Sequence, residues 1–219
     1  MIDFQLIEES LPLLLRGAMV TLQIAALSTS IGIALGTLLG VAQTSKSKLA
    51  RWLVGLYVTI IRGIPMLIQI TFAFFVLPQF GISLPAFWVA VVAIGLNSAA
   101  YVSQIIRAGI RSIGRGQMEA GRVLGLSPLQ ITRYVILPQA FRVVIPALGN
   151  EFITLVKDSS LASVIGVTEL TKVGIFIRGR TFDALTVFAA VAMIYLLITT
   201  TLSLLINWFE KKVNTHAKH

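Results

Sequence analysis

The sequence predicts an all-α integral membrane protein with five transmembrane helices, N-terminus outside and C-terminus inside. Three observations carry that reading. Hydrophobic residues make up 56% of the 219 and charged residues only 12%, whereas a soluble domain is about half apolar and about a quarter charged. Mean hydropathy is +0.88, and the apolar residues come in runs near the roughly 20 needed to cross a bilayer. Sixteen of the 18 Lys and Arg residues collect between those runs. A net charge of +9 in a soluble chain would suggest nucleic acid, but here the placement assigns the cations to membrane orientation. With no cysteine, disulfides, thiolate nucleophiles and Cys-based metal sites are excluded. His216 and His219 read as part of a solvated cytoplasmic tail, residues 211–219.

The elements follow in order. The first residues lack the basic stretch of a cleaved signal peptide. Phe4, Ile7, Leu11 and Leu14 recur at i, i+3, i+7 and i+10, which predicts a short interfacial helix over 1–16. A transmembrane domain then fills 17–210. Residues 17–45 carry no charge, so the first span lies at about 18–42. Its Gly32, Gly36 and Gly40 form a small-residue stripe for close helix packing. Lys46, Lys48 and Arg51 make a basic connector. Between Arg62 and Arg107 lie 44 uncharged residues, interrupted by LPQFGISLP at 77–85, which places the second span at about 52–76 and the third at about 86–107. Gly63 and Pro65 predict a kink in the second span, with Arg62 and Gln69 on one face, suited to a gate or to simple packing. The fourth span covers about 143–167, and the fifth, about 184–208, ends at Trp208 before Lys211 and Lys212. Sorting the cations by connector gives three, six and three, twelve in all, on one side and four on the other. That bias sets the orientation.

The third connector contains GQMEAGRVLGLSPLQITRYVILPQAF, residues 116–141. Ser127, Pro128 and Gln130 predict a capping box with proline at the first helical position. A short helix should therefore start at about 128 and end before Pro138. Upstream, a second short helix should close at Gly125. Such deliberate start and stop signals predict a cytoplasmic docking surface for a soluble partner, over about 116–137.

The fourth span is anomalous because it holds Glu151, Lys157 and Asp158. A charge at mid-bilayer costs at least about 2.5–3.5 kcal/mol on insertion scales, so such residues face a bundle interior or a watery path. At 100° per residue, Glu151, Thr154 and Asp158 share one side, with Lys157 beside them and Ser159 and Ser160 flanking. Two readings are open: an internal ion pair that binds nothing, or a polar pocket shaped for a zwitterion. On the third span Asn97, Tyr101 and Gln104 form a polar stripe toward the interior, for helix–helix hydrogen bonding or for substrate.

Residues 119–138 resemble the EAA signature of ABC importer permeases, through Glu119, Ala120, Gly125, Leu137 and Pro138 at the family's spacing. Gly121 departs from a second alanine and Val135 from isoleucine. IRGIPMLIQ at 61–69, with Arg62, Pro65 and Gln69, and GNEFITLVKDSSLASVIGVTELT at 149–171 are similar to segments of the polar amino acid permeases. The resemblance covers about 12–210. It implies the type I importer architecture in a prokaryotic plasma (inner) membrane, and a substrate site drawn from Asn97, Glu151, Lys157, Asp158, Ser159 and Ser160. It also implies a coupling loop at Glu119–Gly125 and Leu137–Pro138, a second permease chain, identical or similar, a cytoplasmic ABC ATPase dimer and an extracytoplasmic amino-acid-binding protein. No G-x-x-x-x-G-K-[ST] loop occurs, so ATP and Mg would sit on the partner ATPase, no cofactor on this chain, and this chain is no enzyme. The alternative is an ion-coupled secondary carrier that uses Glu151, Lys157 and Asp158 as its relay.

Overall fold

The computed structural model describes residues 2–215, and every element among them is helical. The first helix, α1, runs unbroken from Phe4 to Thr44, so the expected surface helix over 1–16 is not a separate element. Asp3 caps it, its carboxylate accepting from the Leu6 N–H. Pro12 lies inside and removes one donor, but this turn is exposed, so the freed carbonyl is not sealed in an apolar core.

The second span is broken rather than kinked. Helices α2 (Lys48–Gly63) and α3 (Met66–Phe75) meet at 97°. Pro65 disfavours helical geometry at the residue before it, and Ile64 is extended at φ −106°, ψ 130°. A 3-10 turn at Leu77–Phe80 and the left-handed Gly81 lead to α4 (Ala86–Ser112).

After α4 come α5 (Arg115–Val123) and α6 (Pro128–Ile131). Gly125 closes α5 at φ +74°. The N–H of Leu126 bonds Gly121 O and the N–H of Gly125 bonds Arg122 O, which is a Schellman turn. The capping box forms: Gln130 Oε1 accepts from the Ser127 N–H at 2.8 Å, and Ser127 Oγ from the Gln130 N–H at 3.4 Å. The expected stop before Pro138 does not occur. A π-helical turn, Thr132–Ile136, carries the chain directly into α7 (Leu137–Asp158). Proline has no N–H and its ring crowds the carbonyl four residues back. Widening the turn, so that the Leu137 N–H reaches Thr132 O five residues back, lets the helix absorb that clash.

A 3-10 segment, Ser159–Ile165, ends at the left-handed Gly166, followed by α8 (Leu170–Thr181) and α9 (Ala184–Thr215). Among the described residues, counting the bent pair as one, five spans are long and apolar enough to cross a membrane. At the end of the last, Lys212 lies 5.2 Å over the Trp208 ring. Of the predicted tail, residues 216–219, with both histidines, lie outside the described residues.

Helices α1 and α4 share the largest interface. It depends on the glycine stripe: a Cβ at Gly32, Gly36 or Gly40 would fall within 2.8 Å of Ser98, Val102 or Ile106. The core joins Ile24 and Ala25 of α1, Ile70 of α3, Ala90 and Ile94 of α4, and Leu155 and Val156 of α7. A second cluster seats α8 and α9 on α1 through Leu14, Leu170 and Val191. There Glu169, at the N-cap of α8, is fully buried. Its carboxylate accepts from the N–H groups of Thr171 and Lys172 at 2.9 and 2.8 Å, Tyr195 OH at 3.0 Å and Thr21 Oγ1 at 3.4 Å. Burial pushes this carboxyl above its usual range, and those donors offset part of that rise.

Candidate functional site

With Leu155 and Val156 turned into the core, α7 presents Glu151, Thr154 and Asp158 to a cavity of about 370 Å³, within the range of small-molecule sites. The helix break supplies the facing wall: Arg62 and Gly63 end α2, Ile64 and Pro65 form the corner, and Met66 begins α3. Helix α4 contributes Asn97 and Tyr101. One guanidinium and two carboxylates thus converge on one space. The Arg62 guanidinium stacks over the Tyr101 ring at 4.8 Å, an arrangement that orients it while leaving its edge donors available. Glu151 is held by Ser98, whose hydroxyl donates to Oε1 at 2.8 Å. Asn97 is 8% exposed and lines the cavity.

The predicted substrate residues divide. Asn97, Glu151 and Asp158 line the cavity, together with Arg62 and Pro65, which the sequence suited to a gate or to simple packing. Lys157 is exposed and outside it. Ser159 donates to Val156 O and Ser160 to Lys157 O, so both hydroxyls serve the helix-to-3-10 junction. Gln69 lies off the cavity, donating to the carbonyls of Ile61 and Ile64. The α4 stripe also splits, because Gln104 bonds Gln43 on α1. Gly63, Ile64 and Met66 were missed by sequence reasoning. The Gly–x–Pro break was the available signal, since backbone that leaves a helix inside a membrane must line a cavity or be buried in protein.

The short helices α5 and α6 form a second feature. Gly121 packs so closely on α6 that a Cβ there would meet Ile131 Cγ1 at 2.8 Å. The departure from alanine at 121 is therefore what lets α5 and α6 close on each other. Outside this contact, Val123, Leu124 and Leu129 are 87, 78 and 76% exposed. Apolar side chains left this open on a compact turn suit a protein partner.

Residues 32–215 match the family described as binding-protein-dependent transport system inner membrane component. The chain is 41% identical over 213 residues to the glutamine transport system permease protein GlnP of Escherichia coli (strain K12), covering 96% of this chain and 97% of the relative. To the L-cystine transport system permease protein TcyB of Bacillus subtilis (strain 168) it is 40% identical over 217 residues, 98% and 93% of the two chains. A crystal structure of an amino acid ABC transporter with histidines superposes with a TM-score of 0.92 at 38% identity, covering 97% of this chain and 99% of that one. The type I importer permease fold is therefore present. None of these matches supports an ion-coupled carrier.

Proposed function

Given that the chain belongs to the binding-protein-dependent transport system inner membrane components, as a permease of the amino-acid ABC importers, we propose that it forms the membrane path for polar amino acids. The cavity carries this reading: one guanidinium and two carboxylates in about 370 Å³. A zwitterion offers a carboxylate to the Arg62 fork and an ammonium to Glu151 or Asp158. The second carboxylate and Asn97 remain for a polar side chain, and the excess acidic group favours a cationic one. The named relatives carry glutamine and L-cystine, both polar amino acids. Neither Lys157 nor the serines beside it are needed.

Transport proceeds by alternating access, driven by a cytoplasmic ABC ATPase dimer that holds ATP and Mg. The coupling surface is α5–α6, with Glu119, Ala120, Gly121 and Gly125 at its centre and Leu137 and Pro138 joining it to α7. That junction is continuous helix, so a push on α5–α6 is transmitted to Glu151 and Asp158 without an intervening loop. A second permease chain completes the path, and an extracytoplasmic binding protein delivers substrate. The chain is multi-pass in a prokaryotic plasma membrane, N-terminus out.

The test is Glu151→Gln and Asp158→Asn in proteoliposomes with the ATPase and binding protein. Each should reduce uptake roughly tenfold to a hundredfold, the worth of a hydrogen bond to a charged group, with assembly intact. Lys157→Ala, outside the cavity, should transport as wild type. Wild-type uptake by both carboxylate variants would contradict the assignment.

A further inference from the structure

The corner between α2 and α3 carries a side chain that the substrate site does not use. In a continuous helix Ile61 O would accept from the N–H of residue 65, and residue 65 is proline, which has none. Gln69, in the first turn of α3, supplies the missing donor. Its Nε2 reaches Ile61 O at 2.7 Å and Ile64 O at 2.8 Å, so both amide protons are spent across the break, one on α2 and one on the corner itself. The first turn of α3 is tied to the same corner from the other side, by the N–H groups of Ile68 and Gln69 to Pro65 O. Gln69 faces away from the cavity, into an apolar groove with Ile61, Ile64, Phe72 and Leu96. Water there is a poor substitute donor, and an unsatisfied carbonyl is costly.

We propose that Gln69 is a positioning residue for transport: its carboxamide bolts the 97° corner and thereby places Arg62 and the backbone of 63–66 against Glu151 and Asp158. It acts without touching substrate. The proposal rests on the cavity being the substrate site.

Three variants separate donation from size and charge. Gln69→Leu and Gln69→Glu remove the donor (an ionised carboxylate also repels both carbonyls), whereas Gln69→Lys keeps donors of similar reach. The chain has no cysteine, so Leu53→Cys on α2 and Phe75→Cys on α3, both exposed, accept spin labels selectively. Labelled chain is diluted with unlabelled chain in the reconstituted importer, and the distance between labels is read by pulsed electron resonance. Uptake of labelled L-glutamine, L-histidine and L-arginine is measured in parallel. The expected result is a narrow distance distribution for wild type and Gln69→Lys. For Gln69→Leu and Gln69→Glu it is a broad one, with maximal uptake reduced roughly tenfold. A narrow distribution in Gln69→Leu overturns the proposal. Broad distances with unaltered uptake overturn it as well. Failure of the cavity assignment is read separately, as wild-type uptake by Glu151→Gln and Asp158→Asn whatever the label distances show.

Discussion

Adding one methyl group at Gly36 tests how the site-bearing helix α4 is held. An ideal Cβ there meets Val102 Cβ at 2.6 Å, Val102 Cγ1 at 2.7 Å and the Ala99 carbonyl oxygen at 2.9 Å. None of these is the free end of a flexible side chain, and Val102 is fully buried, so the backbones of α1 and α4 must separate. Overpacking of this kind costs about 1–3 kcal/mol, and the backbone contact places Gly36→Ala toward the upper end, about 2–3 kcal/mol. For a chain of this length that corresponds to a melting point lower by about 5–10 °C. Gly55→Ala on α2 is the control, because no atom lies within 4 Å of its Cβ position. Alanine in an open helical position gains about 0.5–1 kcal/mol over glycine, so this variant should melt slightly higher than wild type. The assay is thermal unfolding of the purified chain in one detergent, followed by circular dichroism. Equal melting points for the two variants, or a higher one for Gly36→Ala, would refute the packing argument.

Two further predictions concern the ends of the molecule. Gly125 is left-handed with nothing within 4 Å of its Cβ position, so Gly125→Arg projects a charged side chain outward from the α5–α6 turn. It should leave the chain inserted while abolishing co-purification with the ATPase, and normal co-purification would contradict docking there. Asp183 caps α9, accepting from the Thr186 N–H at 2.9 Å, and its bonds to the Thr186 hydroxyl and N–H hold its pKa below the ordinary value. A lowered folded-state pKa stabilises above the unfolded value of about 3.9 and is lost as pH falls through the folded value. Hydrogen exchange at the Thr186 amide should therefore show falling protection only below about pH 4. Asp183→Asn, which still caps, should remove that dependence.

Much of this architecture is legible before any coordinate. The capping box at Ser127 and Gln130, the turn at Gly125 and the packing role of Gly32, Gly36 and Gly40 each follow from local chemistry that one short stretch contains. The 97° break is only half legible, since Gly63 and Pro65 announce a fault but a bend angle is set by what the two halves pack on. Pro138 misleads for a related reason: proline's stop rule assumes α geometry, and a π turn escapes it. The helical projection groups Glu151, Thr154 and Asp158 correctly. It fails at Ser159 and Ser160 because the helix tightens to 3-10 there and the 100° step no longer applies. Lys157 marks a limit of periodicity, which says which residues share a face but not which face meets the cavity. The burial of Glu169 is invisible because its partners Thr21 and Tyr195 are 148 and 26 residues away.

An ATP-driven path for polar amino acids is tested by uptake of labelled polar amino acids into proteoliposomes holding this chain, its ATPase and its binding protein, with and without ATP. Uptake should require ATP and the binding protein, fall with Glu151→Gln and be indifferent to a proton or sodium gradient. Uptake that persists without ATP and follows such a gradient would contradict it.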